Sequence, residues 1–329
     1  MTNNKNCSEH ISSMLQAYLK ELDYRIQHEG KPLGLSTGIN ALDKLLGGIR
    51  SGELILFGAR PAMGKTSFAI NLSYKLAKSF LKEKEKNPDS NKSVLWFSME
   101  TPCLYMLQRL VATKIEDVWP FQLARYEYGT KSYEEFKKIA DIGKEIEQLP
   151  IYICDDIELT LDDIKNKIKE ISHYSTVSFV VIDYLTLINR EEFSYEGVLQ
   201  KLKNIAKEFN IPIFILSQLT RDVENRKYKI PHLGDIRQFK KHGFIDKILF
   251  LYREYYYLHW HEPQKLSKES EQHFKQKHTE WKRECKAQEN VAQIIIAKNN
   301  SGGIGHVKCF CDLKKCEFDD LPDQEFLTY

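Results

Sequence analysis

The sequence lacks several features that would each have assigned it to a class at once. No run approaches the ~20 consecutive apolar residues that a membrane-spanning helix needs, and the opening MTNNKNCSEH carries no charged-then-apolar leader. Both absences predict a cytoplasmic protein with no membrane partner. There is also no charge imbalance: 48 Lys+Arg against 46 Asp+Glu leave a net charge of +2. That excludes a generally basic nucleic-acid coat and leaves only local basic clusters open. An even cysteine framework is missing too. The seven cysteines are an odd number, mostly scattered through apolar segments as small hydrophobes, so a disulfide scaffold is not expected. What remains is a chain of 329 residues, long enough to bury one large α/β core or two modest domains.

The stretch that is present and informative is LILFGARPAMGKTSFAI, residues 54–70. Leu54, Ile55, Leu56 and Phe57 read as a short buried strand, a loop with Gly58 and Gly64 follows, and a helix opens at Gly64-Lys65-Thr66 with apolar positions at Phe68, Leu72 and Leu76. That order suits a phosphate-binding loop. Free N–H groups and the positive helix end face the phosphates, Lys65 supplies a point charge for the β- and γ-phosphates, and the Thr66 hydroxyl can ligate Mg²⁺. The predicted cradle comprises Ala59, Arg60, Pro61, Ala62, Met63, Gly64, Lys65, Thr66 and Ser67. One position departs from the strict G-x-x-x-x-G-K-[ST] pattern, with Ala59 where glycine belongs.

Elsewhere, apolar strands alternate with amphipathic helices. Residues 9–28 read as an amphipathic helix ended by Glu29-Gly30-Lys31-Pro32, its apolar face packing either on its own domain or on a neighbouring subunit. Strands are expected at Ser93–Ser98, Ile151–Cys154, Val177–Ile182 and Ile211–Leu216, with helices between them, and Thr160 with Asp162 and Asp163 reads as a helix cap and acidic first turn. Continuously hydrophobic strands separated by helices indicate a doubly wound, mostly parallel α/β sheet covered on both faces. In such sheets ligands bind beyond the carboxyl ends of the strands, where this chain has polar residues. Glu100 is suited to orient and deprotonate an attacking water, Asp183 to hold Mg²⁺, usually through water, and Gln218 to donate to a γ-phosphate and accept from water.

Taken together, LSTGINALDKLLGGIRSGELILFGARPAMGKTSFAINL, VLWFSME, FVVIDYLTLI, IPIFILSQLTR and IIIAKNNSGGIG resemble the successive motifs of the RecA-like motor domain of DnaB-type replicative helicases. The resemblance spans roughly residues 10–318, and the family's loop also reads Ala-Arg-Pro-x-Met-Gly-Lys-Thr, so Ala59 is a family trait. It implies a RecA-like P-loop NTPase at 33–329, preceded by a linker helix within 1–32 that packs on the next subunit of a ring. It further implies ATP with Mg²⁺, Lys65 and Thr66 on phosphates and metal, Glu100 as catalytic base, Asp183 as the Walker B carboxylate and Gln218 as coupling residue. Lys298 matches the lysine that reaches the neighbouring subunit's γ-phosphate. Single-stranded DNA is the implied partner. About thirty residues precede the motor, so the family's primase-interacting N-terminal domain has no counterpart and primase contact is not expected.

Departures from the family pattern set an alternative. The arginine-finger position holds Asn300, a neutral amide, and the DNA-contacting loop, usually Asp-Leu-Arg-Glu-Ser-Gly, reads Asp235-Ile236-Arg237-Gln238-Phe239-Lys240-Lys241. Arg237, Gln238, Lys240 and Lys241 are the expected DNA contacts, with Phe239 available to stack on a base. The loop after Asp183 is shorter than the family's, and Gln200 replaces a common arginine. The main expectation is an ATP-dependent DNA helicase or translocase. The alternative is a nucleotide-binding assembly or loader-like module with little turnover. Residues 253–290, rich in histidine, aromatics and mixed charge, read as a helical, solvated insertion. Cys309, Cys311 and Cys316, near His306, fall in a strand–turn–strand matching the family's closing hairpin rather than a zinc site.

Overall fold

The computed structural model describes residues 10–27, 32–115, 133–156, 159–183, 194–236 and 242–321. Six strands run parallel: β1 (Leu54–Ala59), β2 (Lys92–Ser98), β3 (Ile151–Cys154), β4 (Thr176–Asp183), β5 (Ile213–Gln218) and β6 (Lys247–Tyr252). Three more, β7 (Val291–Asn299), β8 (Gly305–Asp312) and β9 (Glu317–Asp319), continue the sheet antiparallel, giving the order β3-β2-β4-β5-β1-β6-β7-β8-β9. Every residue of β1 and β6 is buried, as a strand covered on both faces requires. Because side chains alternate along a strand, Ile55, Phe57 and Ala59 enter one hydrophobic cluster while Leu54 and Leu56 enter the other.

Helices α2 (Asn40–Leu46), α3 (Lys65–Lys86), α4 (Cys103–Ala112) and α5 (Tyr133–Glu147) cover the first face. There Phe68 of α3 stacks on Phe57 at 4.5 Å between centroids, with Phe318 edge-on at 5.2 Å. Helices α6 (Leu161–Ser172) and α7 (Tyr195–Phe209) cover the second. The expected cap at Thr160 is a full capping box: its hydroxyl accepts from Asp163 N–H at 3.1 Å, and its own N–H donates to the Asp163 carboxylate at 2.9 Å. Strand β5 starts at Ile213, two residues later than the sequence pattern suggests, and runs on to Gln218.

The N-terminal helix α1 (Ile11–Gln27) forms as expected, yet Ile11, Met14, Leu15, Tyr18, Leu19 and Ile26 are all more than half exposed, so its apolar face lies uncovered in the single chain. Between β6 and β7 stand α8 (Glu254–Trp260) and α9 (Glu271–Gln288), joined by a Trp281 Nε1 to Leu258 O hydrogen bond of 2.8 Å. Cys309, Cys311 and Cys316 are buried around the β8–β9 turn, where burial pushes their thiols up. No described helix is long and apolar enough to cross a membrane.

Candidate functional site

The carboxyl ends of β1, β2, β4 and β5 lie side by side, since Ala59 pairs with Gln218 and Ser98 with Asp183. Ala59 is the last residue of β1 and extended, so the irregular pattern position needs no glycine. The left-handed backbone falls at Ala62, with φ +62°, and at Gly64, with φ +97°, which is the N-cap of α3. The positive φ is what calls for glycine at Gly64; a Cβ there would also sit 2.4 Å from Leu313 Cδ2, a contact that a turn of the leucine tip could relieve. The loop therefore delivers Lys65 and Thr66 in the first turn of α3, at the wall of a cleft.

Beneath the loop, Asp183 is fully buried at the end of β4. Its Oδ2 accepts the Thr66 hydroxyl at 3.0 Å, and Lys65 Nζ stands 3.5 Å from Oδ1. Oδ1 receives no hydrogen bond and has the Lys65 ammonium only at ion-pair distance, which leaves this buried carboxylate room for a further cation. A hydroxyl beside a carboxylate is a hard oxygen donor pair of the kind Mg²⁺ takes, so these residues fit that ion together with a phosphate held by Lys65. Met99 N–H donates to Asp183 O at 2.9 Å, which fixes the end of β2 and brings the exposed Glu100 to the rim.

A cleft of about 290 Å³ is lined by loop and strand-end residues, among them Arg60, Gly64, Lys65, Thr66, Glu100 and Gln218, though not by the fully buried Asp183. Two lining residues escaped the sequence reading. Arg109 comes from α4, one residue before buried Leu110, and Leu313 from the turn between β8 and β9. The only signal for Arg109 was a basic residue on the helix following Glu100; for Leu313 there was none, because chain closure alone brings that turn to Gly64.

Lys298 and Asn300 sit elsewhere. Lys298 pairs with Ile248 near the start of β6, whereas the loop leaves β1 at Ala59, level with Leu251. Along strands rising ~3.3 Å per residue this is the opposite edge of the sheet. There Lys298 Nζ donates to the carbonyls of His242 at 2.7 Å and Ile245 at 2.6 Å, and burial holds its pKa below the ordinary lysine value. Asn300 N–H donates to Asp246 O at 3.0 Å. Arg237, Gln238, Lys240 and Lys241 lie outside the described residues, directly before His242.

This geometry is that of a P-loop protein with the RecA-like ATPase fold. A solved structure of an isolated ATPase domain matches with a TM-score of 0.74 at 26% identity, over 96% of this chain and 100% of that one. A DnaB-like replicative helicase, described together with its interactions with primase, matches in fold with a TM-score of 0.72 at 24% identity, over 98% of this chain and 69% of that one. The chain belongs to the DnaB-like helicase C-terminal domain family, which matches residues 34–320. Replicative DNA helicase DnaB of Rickettsia typhi is 31% identical over 318 residues, covering 94% of this chain and 61% of that relative's length.

Proposed function

We propose that the protein is an ATP-dependent DNA helicase or translocase motor that works as a ring, with nucleotide at the subunit interfaces. The observation carrying this reading is the buried Asp183 carboxylate bonded to Thr66 and facing Lys65 under the phosphate loop, in a chain of the DnaB-like family. The loop N–H groups and Lys65 hold the β- and γ-phosphates. Thr66 and Asp183 hold Mg²⁺, which when bound offsets charge building on the phosphoryl oxygens. Glu100 takes a proton from the attacking water, and Gln218 bridges that water and the γ-phosphate.

A neighbouring copy completes the site. The position of Lys298 at the far edge of its own sheet supports action in trans, where it trades the carbonyls of His242 and Ile245 for the next subunit's phosphate. The uncovered apolar face of α1 supports the same assembly. Arg237, Gln238, Lys240 and Lys241 contact the phosphates of single-stranded DNA.

Steady-state ATPase with and without single-stranded DNA tests the motor. Turnover rises with DNA, and Lys65→Ala lowers it by about a thousandfold or more; full activity in Lys65→Ala would sink the reading. Asn300 favours a second one, a nucleotide-dependent assembly or loader-like module with little turnover. Asn300→Arg separates the two: a rate gain of at least about tenfold marks a motor with a weakened finger, since an engaged finger contributes ~10³–10⁵.

A further inference from the structure

The rim of the cleft carries a polar cluster that the phosphate chemistry leaves unused. Arg60 Nε donates to Glu224 Oε1 at 2.8 Å, and its Nη1 to the carbonyl of Leu219 at 2.8 Å. Leu219 N–H donates to Ala59 O at 3.1 Å, so the guanidinium closes a loop across β1 and the segment leaving β5 after Gln218. The same Glu224 Oε1 accepts the hydroxyl of Tyr257 at 3.3 Å. Tyr257 belongs to α8, in the charged insertion between β6 and β7.

Each partner is itself held. The Tyr257 ring stacks on Tyr252 at 6.0 Å and meets Tyr256 edge-on at 5.2 Å. Lys229 lies over that ring at 5.2 Å and donates to the Glu224 carbonyl at 2.9 Å. Burial pushes the Tyr257 pKa up, with Glu224 adding to the effect, so the hydroxyl stays protonated and acts as donor. Arg60 is 13% exposed and Glu224 34%, which leaves the pair sheltered enough for geometry to matter and open enough to face a ligand.

We propose that Glu224 and Tyr257 are positioning residues for the phosphate loop: Tyr257 fixes the Glu224 carboxylate, Glu224 fixes Arg60, and Arg60 sets the path of Pro61–Gly64 before nucleotide arrives. The helical insertion is thereby part of what determines triphosphate affinity. Preorganisation acts on binding rather than on the chemical step, because the loop pays its ordering cost in advance. This inference rests on the reading of the cleft as a nucleotide site.

The test is titration of the full chain with a fluorescent ATP analogue and Mg²⁺. Tyr257→Phe keeps the ring packing and removes one hydrogen bond to a carboxylate, so the dissociation constant rises about threefold to tenfold. In an Arg60→Ala background the same substitution changes nothing further, because the relay ends at Arg60. Equal affinity of Tyr257→Phe and the unaltered chain overturns the proposal. So does an equal weakening with and without Arg60, which would mark a purely structural role. Glu224→Gln is a second arm and weakens binding in the same direction. Lys65→Ala is the control: if it abolishes binding while Tyr257→Phe has no effect, the relay alone fails, and if it leaves binding intact, the cleft reading fails first.

Discussion

The two edges of the sheet use charge in opposite ways. At the carboxyl edge, Asp183 is buried with one oxygen that receives no hydrogen bond, beside a loop of left-handed backbone and an exposed Glu100. At the amino edge three lysines each hold two hydrogen-bond acceptors. Lys247, fully buried, donates to Glu53 at 2.6 Å and Gly48 O at 2.7 Å; Lys203 donates to Asp246 at 2.5 Å and Gly52 O at 2.8 Å; Lys298 has its two carbonyls. A cation hydrogen-bonded to a carbonyl together with a carboxylate or a second carbonyl holds the fold together, whereas one facing a carboxylate oxygen at 3.5 Å without a hydrogen bond to it leaves electrostatic work for a ligand. Lys298 belongs to the first group in the single chain and is proposed to join the second in an assembly, which makes it the residue that probes the contrast.

The largest effect expected at the amino edge is on stability. Lys247→Ala leaves Glu53 buried with, among the described residues, Ser301 and the Arg50 N–H as donors to its carboxylate, and denaturant melts should show a loss of about 3–5 kcal/mol, with nucleotide affinity of the folded protein unchanged. A changed affinity would break the separation of the two edges. Lys298→Ala should sharpen it, cutting ATPase of assembled protein by about tenfold to a hundredfold while nucleotide binding by the isolated chain stays as it was. Weaker binding by the isolated chain would show that Lys298 serves its own cleft after all. Smallest is Thr160→Ala, away from both edges, which should cost about 1 kcal/mol by melting. The Thr160 hydroxyl and N–H hold the Asp163 carboxyl below its ordinary value of 3.8. The folded pKa is the depressed one, so this contribution is present above that pH and lost as pH falls through the folded value.

Much of the fold was readable residue by residue. The apolar runs became β2, β4 and β5, the Thr160 pattern became a capping box, and the Glu29-Gly30-Lys31-Pro32 stop lies just beyond α1. Most of the cleft was readable, since ten of its twelve lining residues were named from the sequence. Glu100, Asp183 and Gln218 announced themselves by standing where apolar runs end, but Arg109 and Leu313 carried no comparable mark, since both reach the cleft from elements that local spacing does not connect to it. The insertion was legible as helical, yet its tie to Arg60 through Glu224 and Tyr257 was not.

By itself the sequence determined what depends on neighbours within a few residues: which segments are strands or helices, where a helix is capped, and that a glycine-bearing loop precedes Lys65-Thr66. These follow from side-chain period and backbone freedom, which are local properties. Only the tertiary structure decided that β5 and β6 flank β1, that Leu313 closes over Gly64, and that Lys298 stands at the far edge from its own phosphate loop. Those facts depend on strand order and register, which are set by burying both faces of the sheet at once, a condition on the whole chain rather than on any one stretch.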